Sequence, residues 1–214
     1  MASSDPDFVV LHTLRCIGFS GDDRIAAASG LGPHETSVRL RTLQDRGLVE
    51  YSSGHFGGWG LSDLGRSSGD RILRAELEAA GALDHVTACY ETFFELNPVL
   101  LTVVTDWQMR SIGGTPIVND HTDSGYDASV LSRLMKVDES AQQVCADLAA
   151  RLARFSNYGS RLNRALDRVM AGEVSMLGDS LDSYHSVWFQ LHEDLLLTLG
   201  RSRDAERRSQ AAGG

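Results

Sequence analysis

The sequence predicts a mainly α-helical chain with one small β-hairpin near its start. Two observations predict it: apolar residues recurring at helical spacing over most of the 214 residues, and a single short alternating stretch around Leu48–Leu61. The first 75 residues carry the hairpin and separate from a second helical part, 76–200, and a polar tail, 201–214.

The elements follow in order. Phe8 to Phe19 forms a first helix, with Val9, Val10, Thr13, Leu14 and Ile17 on one broad face and Gly18 and Gly21 at its end. Asp22 and Asp23 suit the N-cap of a second, Arg24–Ser29, built on Ile25 and three alanines. Gly30-Leu31-Gly32 breaks it, and Pro33 opens a third helix that runs to Arg46 and stops at Gly47. Leu48–Ser52 and Trp59–Leu61 make a hairpin around Ser53–Gly58, and Ser62 caps the next helix. Beyond it, helices are expected over Asp70–Ala80, Asp84–Leu96, Asn97–Arg110, Ala128–Met135, Asp138–Phe155, Ser160–Ala171 and Asp182–Gly200. Ser111–Asp127 reads as the main loop, and Asn157-Tyr158-Gly159 as a break.

Helix, helix, tight turn, helix and hairpin is the order of a winged helix-turn-helix. Ile25–Val49, the glycine-tipped hairpin and the closing Leu-Ser-Asp-Leu-Gly-Arg at Leu61–Arg66 resemble MarR-type winged-helix transcriptional regulators. The resemblance covers about the first 75 residues and implies a dimeric, DNA-binding protein without a catalytic centre. Steps of 100° put Thr36, Leu40 and Leu43 on one face of the third helix. The opposite face carries His34, Ser37, Val38 and Arg41, groups that suit base edges and thymine methyls in a major groove. Pro33 starts that helix, and Arg39, Arg46 and Arg66 are the phosphate-contact candidates, each also within reach of local acids such as Glu35 or Asp63. The family commonly places Arg or Lys at the wing tip; this chain offers only His55 there, with Phe56 and Trp59 nearby. The helical part resembles only loosely the helical domains attached to winged helices in actinobacterial regulators, and no site follows from that.

Formal net charge is −9, unevenly spread: residues 1–74 hold 8 Arg against 9 acids, the remainder 12 basic residues against 20 acidic. A polycation is excluded, so DNA contact must be local, and the acidic helical part suits subunit packing. Cys16, Cys89 and Cys145 lie far apart, form no metal motif and fit a reducing cytoplasm. The longest apolar run, Pro98–Thr105, is far below the roughly 20 residues of a membrane span. No phosphate loop, GxSxG elbow or HExxH is present, and no cofactor or metal is expected. His185 and His192, seven apart, share a face with Trp188 and Leu195 and read as core. A small-molecule effector is expected in a pocket between the helical part and the wing, bordered by Asp106, Trp107, Asn119, Asp120 and His121. Two rivals stand beside regulation: a winged-helix protein-interaction module without DNA binding, and a small-molecule- or metal-binding helical protein.

Overall fold

The computed structural model describes residues 4–54, 57–204, 206 and 208. Helices α1 (Pro6–Ile17), α2 (Asp22–Ser29) and α3 (Pro33–Asp45) lead into a hairpin of β1 (Val49–Ser52) and β2 (Gly58–Leu61) and then α4 (Asp63–Ala80). The strands pair antiparallel with Val49 opposite Leu61, and Ser20 exchanges two backbone hydrogen bonds with Trp59, extending the sheet by one bridge. Val10, Leu11, Leu14, Ile25, Leu40, Leu43, Leu48, Val49 and Trp59 form the core of this part. Ser62 Oγ accepts from the Gly65 amide and caps α4, as its sequence position predicts. Asp22 does not cap α2. Gly21 takes that place, and Asp22 instead accepts the Trp59 indole N–H at 2.7 Å, tying α2 to the hairpin.

The second core is larger and gathers α5 (Leu83–Gln108), α6 (Ser124–Ala149), α7 (Ser156–Met170), α8 (Ser175–Gly178) and α9 (Tyr184–Thr198). A boundary at residue 75 falls inside α4, whose Leu77 already belongs to this second core.

Several expected boundaries are corrected. Asp84–Leu96 and Asn97–Arg110 are one helix with Pro98 inside it. Its apolar positions Val86, Tyr90, Phe93, Leu100, Val104 and Trp107 keep helical phase across the proline, and Asn97 Oδ1 takes the Trp188 indole N–H at 3.0 Å. Burial of that stripe outweighs the lost backbone bond. Ala128–Met135 and the first part of Asp138–Phe155 are likewise one helix, because Val130, Leu134, Val137, Ala141, Val144 and Leu148 stay in phase. A single 3₁₀ turn, Ala153–Phe155, then leads into α7, which includes Asn157–Gly159. The expected loop contains a second hairpin, β3 (Met109–Ile112) and β4 (Thr115–Val118), turning at Gly113 and Gly114, both at positive φ. Of the tail, Arg203 bonds Glu193 at 2.8 Å, and Glu206 takes a 2.9 Å contact with His192 Nε2.

Candidate functional site

α3 is held by one face and presents the other. Thr36, Leu40 and Leu43 are fully buried, while Pro33, His34, Val38 and Arg41 are exposed and Ser37 is half-buried. Arg41 makes no ion pair with any described residue. The other arginines are engaged. Asp7, in the first turn of α1, receives Arg46 Nη1 at 2.8 Å and Arg39 Nη1 at 3.5 Å; Arg39 also lies 3.6 Å from Glu35. Arg66 sits 3.6 Å from Asp63. These pairs fix the start of α1 against the second half of α3. His55 and Phe56 lie outside the described residues. Trp59 is buried beneath the hairpin, with its ring 5.0 Å from that of the half-exposed Tyr51.

Of the residues expected to border an effector pocket, Trp107, Asn119 and His121 come together and face one another, while Asp106 and Asp120 pair with neighbouring arginines. Trp107 is 3% exposed and donates its indole N–H to the Val174 carbonyl at 3.0 Å. Buried Asn119 donates to the Trp107 carbonyl at 3.0 Å and to Asp127 at 2.8 Å. His121, at φ 57°, places Nδ1 3.0 Å from Asp127 and its ring 4.5 Å from Trp107. Asp106 pairs with Arg133 at 2.7 Å and Asp120 with Arg110 at 3.0 Å; hydrogen bonds from Thr122, with Arg110 beside them, hold the Asp120 carboxyl below its ordinary range. The cluster fastens the second hairpin to α6. It also sits away from the first 80 residues, which meet the helical part through α1, α2 and α4 against Arg154, Asn157 and α9.

That meeting surface holds a buried polar network. Arg154, its side chain 2% exposed, donates Nε to Glu76 of α4 at 2.7 Å and Nη2 to Thr198 Oγ1 at 2.7 Å, and Nη1 pairs with Asp194. Asp194 also lies 2.9 Å from His12 Nε2 of α1 and accepts from the Tyr158 hydroxyl at 3.0 Å. Burial would raise the Asp194 pKa, but Arg154 and His12 overcome it and hold the carboxyl well below the carboxylate range. His12, Cys16 and Asp194 offer three donor atoms within 4.8 Å. Burial, then Asp194, pushes the Cys16 thiol well above its ordinary pKa. A thiol that stays protonated beside a carboxylate already held by a guanidinium fits neither a metal nor a nucleophile. The network joins helices. Sequence reasoning missed it, since the only local signal is a His and a Cys one turn apart in an apolar helix.

No helix among the described residues is long and apolar enough to cross a membrane. Comparison with models of protein families, with curated proteins and with solved structures finds no match to this chain.

Proposed function

We propose that the chain is a dimeric DNA-binding transcriptional regulator whose first 80 residues act as a winged helix-turn-helix. One observation carries the proposal: α3 is anchored by Thr36, Leu40 and Leu43 and turns His34, Ser37, Val38 and the unpaired Arg41 outward, beside an antiparallel hairpin tied to the α1–α2 turn through Ser20 and Trp59. Arg39, Arg46 and Arg66 supply phosphate contacts by exchanging their carboxylate partners, because exposed ion pairs of this kind are worth only about 0–1 kcal/mol. One module covers few base pairs, so a specific site calls for two copies. Three free, buried cysteines suit a reducing cytoplasm. The polar side chains of the Asp106–His121 cluster already have partners, so an effector bound there would have to displace those bonds.

The second reading, a protein-interaction module, is favoured by the carboxylates already on those three arginines. Titration with random duplex DNA at about 50 and 200 mM salt separates the two. DNA binding gives an affinity that falls steeply and log-linearly with salt. No binding at the lower salt overturns the DNA reading.

A further inference from the structure

We infer that the seam between α2 and the α7–α9 layer is a binding site for a phosphate-sized dianion, with Arg161 as its anchor. Arg161 is 7% exposed, yet among the described residues no carboxylate lies within ion-pair distance of it. Its guanidinium makes one hydrogen bond among the described residues, from Nη2 to the neutral Gln190 Oε1, and its cation sits 5.7 Å from the Tyr158 ring. Burying an unpaired charge is costly, and burial does press the Arg161 pKa below its ordinary value. Arg154, seven residues earlier, shows what the fold does when it neutralises a buried guanidinium internally: two carboxylates converge on it.

Arg161 lines an 80 Å³ cavity together with Ala27 of α2, Arg164 and Arg168 of α7, and Asp182 before α9. A single water needs roughly 10–15 Å³, so the space accepts a small oxyanion. The charged groups around this cavity leave a positive excess. From α2 comes Arg24, whose buried Nε has no hydrogen-bond partner among the described residues. From α7 come Arg164, exposed and in no ion pair with a described residue, and Arg168, which Glu173 engages from outside the cavity. Asp182 is the one carboxylate on the lining. Arg161, Arg24, Arg164 and Arg168 against Asp182 and Glu173 leave a charge of two to be balanced, which selects a dianion over a carboxylate; guanidinium forks match the oxygens of a phosphate. The shared chemistry is a phosphoryl dianion, either free or as the head of a phosphomonoester. The site does not depend on what α3 contacts.

The test uses the full chain, with inorganic phosphate and glycerol phosphate as probes and chloride at matched ionic strength. Phosphate also stabilises proteins non-specifically, so the comparison is between variants. The melting temperature of the parent should rise with the logarithm of phosphate concentration, and calorimetric titration should give one site per chain. A stronger response to glycerol phosphate identifies an ester head group; an equal or weaker one identifies free phosphate. Arg161→Gln should melt no lower than the parent without phosphate, because an uncompensated charge is gone, and should lose the saturable response. Arg164→Glu, at an exposed position that leaves the fold intact, should weaken binding about tenfold. A parent with no saturable binding overturns the site, and so does an Arg164→Glu variant that binds phosphate as the parent does.

Discussion

Arg154 and Asp194, 40 residues apart, form an ion pair in which each side chain is 2% exposed, and around it close Glu76 from α4 and His12 from α1. Buried pairs of this kind bring little net stability over apolar neighbours, yet losing one partner leaves the other charged and stranded. Asp194→Asn should cost about 3 kcal/mol in urea denaturation, the low end for a broken buried pair because Glu76 still holds Arg154. The sign with pH follows from the depressed carboxyl: its contribution is complete above the unfolded value, about 3.9, and drains away as pH falls through the folded one. An Asp194→Asn chain should lack that part of the acid sensitivity; identical acid profiles would show that the pair contributes nothing.

Arg41→Ala should weaken specific DNA binding by about 1–3 kcal/mol and flatten base preference at one position, if the exposed guanidinium reads a guanine. Equal weakening on all duplexes would make it a phosphate contact. Unchanged affinity removes it from the interface.

Gly65 lies where α4 crosses the first strand so closely that a Cβ would stand 1.9 Å from the Leu48 carbonyl oxygen. Gly65→Ala should destabilise the fold by about 3 kcal/mol, at the upper end for an overpacked site. A melting temperature within a degree or so of the parent's would mean the helix is free to back away.

His192 is buried against Phe93, and burial lowers its pKa despite the upward pull of Glu206; burial lowers that of His185 too. A depressed imidazole contributes stability above its unfolded value, about 6.5, and loses it as pH drops through the folded value. The urea midpoint of the parent should fall between pH 7.5 and 5, and less so in His192→Gln. Equal slopes in the two chains would acquit this residue.

Sedimentation at micromolar concentration should give about twice the 23.3 kDa chain mass. A monomer both with and without DNA would sink the proposed two-fold arrangement.

The first 80 residues were legible because their signals are local: Pro33 at a helix start, Gly47 at positive φ after it, and Ser62 on the next cap. The helical part was misdivided where local rules met tertiary packing. Pro98 reads as a helix start, but the apolar stripe runs through it in phase, and phase was the better guide. Asn157 and Gly159 read as a break, yet each serves a distant partner. Asn157 Nδ2 donates to the Ala27 and Ala28 carbonyls at 3.3 and 3.1 Å. Gly159 lets α7 approach so near that a Cβ would meet Gln142 Oε1 at 2.8 Å. The Arg154–Asp194 network and the bare Arg161 were invisible for a simpler reason: whether a buried charge has a partner depends on what the topology brings beside it, and no spacing records that. The cluster around Trp107 was found as a group, but proximity in sequence could not show that its polar atoms are spent on each other.

The bonds from Asn157 to the last carbonyls of α2 have a mechanical meaning. A helix end that would otherwise be finished by water is finished by a side chain from the opposite half of the chain. α2 packs directly on α3, so α7 holds α3 at a set pitch, like a pawl against a gear. A tilt of α7 would either free the two carbonyls or carry α2 along, and through α2 the exposed face of α3. In a pair of such chains, the distance between the two α3 faces is then adjusted at the contact between copies or by whatever rotates α7, and slack within one chain contributes little to it.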